Sequence, residues 1–183
     1  GLKNLPAGWT TNCKMTLSTA GAYGEAAPSA SLSADNMYIE SAPYADGIRA
    51  LTFWYRERNA PCGENYVVID ALSAGSADWQ HADTLWLTDT APASGSTYTL
   101  ACAADAPAGS TTVLPDGCTA MRLTYRRVGS GGLAVDDVSV RHGGEPVWHA
   151  VPPYDRLRVG SATQYAVSGL SASGHYYYRV YGT

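Results

Sequence analysis

The chain has 183 residues and a formal net charge of −4, with 12 Lys and Arg against 16 Asp and Glu, and 45% of it is apolar. Much of that apolar share is alanine; a single phenylalanine, Phe53, stands beside 13 tyrosines and 5 tryptophans. The modest charge and the aromatic bulk exclude a disordered chain, the scattered arginines with only Lys3 and Lys14 exclude a nucleic-acid footprint, and no apolar run is long enough for a membrane span.

A core short of Leu, Ile and Phe favours sheets, where Tyr, Trp, Val and Thr pack on a pleated surface. No segment holds a 3.6-residue apolar period for three turns, and Gly, Pro or Ser-Ala clusters interrupt the chain about every eight to twelve residues, the spacing of an antiparallel sandwich or barrel. The predicted strands, in chain order, are Met15–Thr19, Ala30–Ser33, Met37–Glu40, Arg49–Arg58, Tyr66–Ser73, Leu85–Thr88, Tyr98–Ala103, Thr119–Arg127 and Gly132–Arg141. In Arg49–Arg58, Leu51, Phe53 and Tyr55 share the core face and Ala50, Thr52, Trp54 and Arg56 the other. Thr119–Arg127 repeats the pattern, with Met121, Leu123 and Tyr125 inward and Arg122, Thr124 and Arg126 outward. Gly132–Arg141 changes parity: Leu133 and Val135 are odd, Val138 and Val140 even, which places a bulge at Asp136–Asp137. Two adjacent carboxylates there either bond loop amides or solvent, or ligate a cation.

After residue 142 the composition shifts. Gly143-Gly144-Glu145-Pro146 reads as a linker between a sandwich over 1–142 and a β segment over 143–183, with strands expected at Val147–Val151, Ala162–Ser168 and His175–Tyr181. About 40 residues are too few for an independent sandwich, so this tail is expected to dock or to be truncated. The chain opens without a signal peptide, as a mature or excised piece would.

The four cysteines lack CxxC or CxxH spacing, which argues against zinc and is compatible with two disulfides. Cys102 and Cys118 flank a Pro/Gly/Ala loop and are expected across a hairpin, leaving Cys13 for Cys62 and implying an oxidising compartment; four free buried thiols are the alternative. For catalysis, GxSxG, HExxH, Walker A and EF-hand patterns are all missing, and His81, His142, His149 and His175 have no motif partners. The chain therefore reads as no enzyme, a spatially assembled hydrolase site being the outside alternative. Sugars stack their CH faces on flat aromatics, so Trp79 in its polar loop, and a sheet-face platform of Trp54, Arg56, Trp86 and Arg122, are the candidate ligand-binding residues. Many of the rings are expected to be packing residues instead.

Two family resemblances rest on particular residues. Pro6-Ala7-Gly8-Trp9, Gly21-Ala22-Tyr23-Gly24, Pro28-Ser29-Ala30-Ser31-Leu32, Tyr38-Ile39-Glu40-Ser41, Leu51-Thr52-Phe53-Trp54-Tyr55 and Leu133-Ala134-Val135-Asp136-Asp137-Val138, in that order, resemble the MAM-like jelly-roll modules of Bacteroidetes surface proteins, the cleaved-adhesin and choice-of-anchor group. Val167 to Val180 resembles the penultimate-strand signature of a fibronectin type III module, with Leu170 as core plug and Tyr176 as tyrosine corner. Ala172 and Gly174 depart from the proline and threonine usual in it. The first resemblance implies an antiparallel jelly roll, non-catalytic and monomeric, on a secreted or surface-anchored protein. It would serve adhesion or ligand binding, of a glycan or a surface protein, or act as a spacer for a neighbouring domain. It also implies a structural calcium ion, with Asp136 or Asp137 supplying one ligand and Glu25 or the Gly21–Gly24 carbonyls another.

Overall fold

A computed structural model of the chain describes residues 5–59, 64–87 and 95–143, and a few positions between 160 and 168. The chain divides into two compact units, Gly1–Pro146 and Val147–Thr183. The first unit is all-β, with ten strands and no helix among the described residues: β1 Thr10–Thr11, β2 Met15–Leu17, β3 Ser29–Leu32, β4 Met37–Glu40, β5 Ile48–Arg58, β6 Tyr66–Ser73, β7 Gln80–Trp86, β8 Ser96–Ala101, β9 Cys118–Arg126 and β10 Gly132–His142. They form two five-stranded antiparallel sheets, sheet I in the order β1-β4-β9-β6-β7 and sheet II in the order β2-β3-β10-β5-β8.

Alternation along β5 and β9 builds the core from both sides. Leu51, Phe53, Met121, Leu123 and Tyr125 are buried, with Tyr55 packed half-buried against them. Phe53 meets the Tyr98 ring at 5.1 Å and the Tyr55 ring at 6.0 Å, so tyrosine fills the places that aliphatics leave. Tyr98 crosses the sandwich and donates its hydroxyl to Asp83 of β7; burial and that carboxylate push its pKa well above the usual tyrosine value. Asn65 is fully buried and ties the β9–β10 turn, donating to Glu57 and to the Ser130 carbonyl while its Oδ1 accepts from Val128 N–H.

The bulge stands where parity placed it. Asp136 lies opposite Trp54 and Ser139 opposite Thr52, so Asp137 and Val138 face Phe53 alone. Asp137 has φ +48°, in the left-handed region. Val138 and Val140 thereby pack on the core as Leu133 and Val135 do before the bulge.

Several expectations need correction. The Cys102–Cys118 disulfide does not form: Cys13, Cys102 and Cys118 are free thiols, and Cys62 lies outside the described residues. The segment between Cys102 and Cys118 is not a hairpin, because β8 belongs to sheet II and β9 to sheet I. Cys102 Sγ sits 3.3 Å from Asp105, whereas Cys118 Sγ is buried, 3.4 Å from the Ala120 carbonyl and beside Met121 Sδ. The Gly129–Gly132 turn, between β9 and β10, also joins the two sheets. The strand expected at Leu85–Thr88 begins five residues earlier, at Gln80, because an edge strand tolerates the polar run that masked it. In the second unit, Gln164 and Ala166–Ser168 carry no strand, contrary to the strand expected there. Val147–Val151, Leu170 and His175–Tyr181 lie outside the described residues.

Two predictions follow from this packing. The Tyr125 hydroxyl is fully buried with no hydrogen-bond partner among the described residues, and burial pushes its pKa up to about 12. Tyr125→Phe should raise unfolding stability by about 1 kcal/mol in denaturant titration, since an unpaired buried polar group costs roughly that. Asp105 takes Arg49 at 2.6 and 2.7 Å and Arg141 at 2.9 Å, and the Arg49 guanidinium above all holds its carboxyl well below the usual carboxylate range. The pairing therefore stabilises the fold above the ordinary value of 3.8 and loses its contribution as pH falls below it. The melting gap between wild type and Asp105→Asn should accordingly close as pH is lowered.

Candidate functional site

A loop over residues 19–28 folds back onto the outer face of sheet II. Its backbone turns through an Ala22 N–H bond to the Thr19 carbonyl, Arg56 donates to the Gly21 carbonyl, and Ser29 Oγ donates to the Ala22 carbonyl. The bulge acids fasten its tip: Gly24 N–H donates to Asp136 Oδ2 and Glu25 N–H to Asp137 Oδ2, each at 2.9 Å. The tip is so close that a Cβ on Gly24 would come within 1.9 Å of Asp137 Oδ2 and 3.3 Å of Trp54 Cγ. On the other side, a Cβ on Gly95 would meet Trp54 Cζ2 at 2.3 Å. Two glycines thus let the backbone approach the Trp54 indole and hold it against the sheet.

The fastened loop makes one wall of a cleft of about 410 Å³ lined by Tyr23, Gly24, Glu25, Thr52, Trp54, Thr97 and Asp137. Thr52 and Trp54 come from β5, and Thr97, opposite Trp54 in register, from β8. Asp137 and the loop close the other side. Thr52 Oγ1 lies 3.2 Å from Thr99 Oγ1, so a row of hydroxyls runs beside the indole. The concavity offers two aromatic residues, Tyr23 and Trp54, with threonine hydroxyls and two carboxylates, an apolar floor beside a few polar groups.

The structure separates the expected aromatic platform. Trp54 and Arg56 lie on β5 of sheet II, whereas Trp86 and Arg122 lie on β7 and β9 of sheet I, together with the Trp79 loop. On sheet I, Arg122 bonds Glu40 at 2.7 Å, with Trp79 stacked 4.1 Å from its guanidinium carbon and Tyr38 at 5.6 Å. Trp79 is therefore half-buried and occupied by a cation, where its loop context suggested a free ring. Trp86 is 57% exposed, with its ring centroid 4.8 Å from that of Tyr66. Asp70 stands opposite Arg122, and burial raises its carboxyl above the usual range against the pull of His81 and Arg122.

Thr84, His81 and Asp70 stand in a row resembling a hydrolytic triad, at 3.3 Å and 3.8 Å. The second spacing is too long for a hydrogen bond, and His81 is largely exposed on the open sheet face. None of the three lines the cleft. The sequence signal that could have found the cleft was the order of its parts: a Gly-rich loop, Trp54 outward on its strand, and an acid pair at a bulge. Tyr23, Thr52 and Thr97 carried no signal of their own.

Calcium takes about six to eight oxygen ligands. Here the groups meeting the Asp136 and Asp137 carboxylates are backbone N–H donors, and among the described residues no three Asp, Glu, His or Cys side chains gather into a metal-holding group. As arranged, Asp136 and Asp137 act as a loop clamp, each carboxylate accepting one backbone N–H. Gly24→Ala should lower the melting temperature markedly, because the new methyl collides with the Asp137 carboxylate. Gly24 is not among the glycines with a positive φ, so the loss is set by the collision and not by backbone strain.

No protein-family model and no curated protein matches the sequence. Solved structures match in fold. The K1 cleaved adhesin domain of Lys-gingipain from Porphyromonas gingivalis W83 is 15% identical with a TM-score of 0.54, covering 76% of this chain and 94% of that domain. The K3 domain of the same protein is 18% identical (TM-score 0.47, covering 74% and 92%). TmCBM61, solved in complex with β-1,4-galactotriose, is 8% identical (TM-score 0.49, covering 74% and 89%). The likeness to the K1 domain is one of fold: the antiparallel β-sandwich expected from the sequence.

Proposed function

We propose that this chain is a non-catalytic binding module of a secreted or surface protein, and that its ligand is a glycan seated in the cleft over Trp54. The fold itself does not decide this, since one sandwich serves many roles. The observation that carries the reading is the cleft: an outward indole held in place by two glycines, beside threonine hydroxyls and two carboxylates. A pyranose lays its CH face on such a ring while its hydroxyls bond the polar wall. The cleft is complete within one chain, so a monomer suffices. The two carboxylates are not set for glycoside hydrolysis, because Asp137 is engaged with the Glu25 amide and serves the wall itself.

A glycan array probed with the intact protein tests the reading. Reproducible hits should disappear with Trp54→Ala, survive Trp79→Ala, and be recovered chemically intact after incubation. An array silent for the wild type would favour the spacer reading, and cleavage of a bound glycan would favour the hydrolase. The clamp reading of the acid pair predicts that a chelator leaves the melting curve unchanged. A fall in melting temperature on chelation would instead restore the calcium ion at Glu25, Asp136 and Asp137.

A further inference from the structure

The cleft over Trp54 has a sign as well as a shape. Of its lining side chains, Glu25 and Asp137 are acidic, and Tyr23, Thr52, Trp54 and Thr97 are neutral; no Lys or Arg is among them. Asp136, behind Asp137, adds a third carboxylate to the same corner. Arg56, next outward of Trp54 on β5, donates to the Gly21 carbonyl, and Arg49 and Arg141 pair with Asp105.

A carboxylate is an acceptor only. The acidic wall therefore needs a ligand that brings donors, and hydroxyl groups bring them. A uronate or sulfate group brings acceptors and a like charge, so it meets this wall with an unpaired oxygen and with repulsion. Resting on the glycan reading above, we infer that the cleft discriminates by charge: it takes uncharged, hydroxyl-rich glycans and rejects their uronic-acid and sulfated counterparts, with Glu25 as a discriminating residue. Glu25 suits that role because it is exposed at the rim, so its side chain can be changed without opening the core. Only its backbone N–H serves the clamp.

The test is an array of matched pairs, each a neutral glycan beside its uronic-acid or sulfated form, probed with the full chain at low and high salt. At about 0.1 M salt, where screening acts over about 10 Å, the neutral member should bind about tenfold more strongly, and the gap should narrow at about 1 M. Glu25→Gln should narrow the gap several-fold and Glu25→Lys further still, each by raising binding of the charged member relative to the neutral one. Equal binding of both members would overturn the charge discrimination while leaving the glycan reading intact. A gap that neither Glu25 variant changes would overturn the role of Glu25. A wild type that binds no member of any pair would overturn the glycan reading and the discrimination with it.

Discussion

Two adjacent carboxylates on a strand that buries one face cannot both point outward while the strand keeps its register. The structure resolves this at Asp136–Asp137 by setting two residues of β10 against Phe53 and turning Asp137 into the left-handed region. Both acids reach the outer side of sheet II, and Val138 and Val140 return to the core. The carboxylates then accept the Gly24 and Glu25 amides and fasten a loop 112 residues away in sequence. Charged acceptors on backbone amides are among the stronger hydrogen bonds available to a chain. Without this clamp the loop has no fixed height above Trp54, and the cleft has no wall.

The aromatic excess divides by face. Tyr55, Tyr98 and Tyr125 fill core positions, Trp79 is stacked on Arg122, and Trp54 lies under a cleft. Sheet I presents a row of polar side chains, with Glu40 paired to Arg122 and His81 beside Asp70, whereas sheet II presents a concavity. Exposure alone would have ranked these rings differently, since Trp86 is the more open indole. What distinguishes Trp54 is that two glycines and a fastened loop hold it in place, and a fixed ring loses little entropy on stacking with a ligand.

The strands and the bulge were legible because period-two alternation and its interruption are local properties of sequence. Leu51, Phe53, Leu123 and Tyr125 announced their face, and the parity break named Asp136–Asp137 within a residue. Which strand belongs to which sheet was not legible, since connectivity across a sandwich leaves no mark on alternation. That is why Cys102 and Cys118 read as hairpin partners although a sheet boundary lies between them. It is also why Trp54 and Trp86 read as one platform. β1 was too short to show a pattern, and the start of β7 was hidden by Gln80, His81 and Asp83. Asn65 reads as an ordinary loop residue until its amide is seen holding three backbone groups and Glu57.

The central claim is that ligand enters at the indole of Trp54 and not on the opposite sheet. The five tryptophan indole N–H resonances report on this directly in a nitrogen–proton correlation spectrum recorded as an array-selected glycan is titrated. Saturable displacement of the Trp54 resonance, with those of Trp79 and Trp86 unmoved, is the predicted result. Displacement of Trp79 or Trp86 with Trp54 unmoved would contradict it.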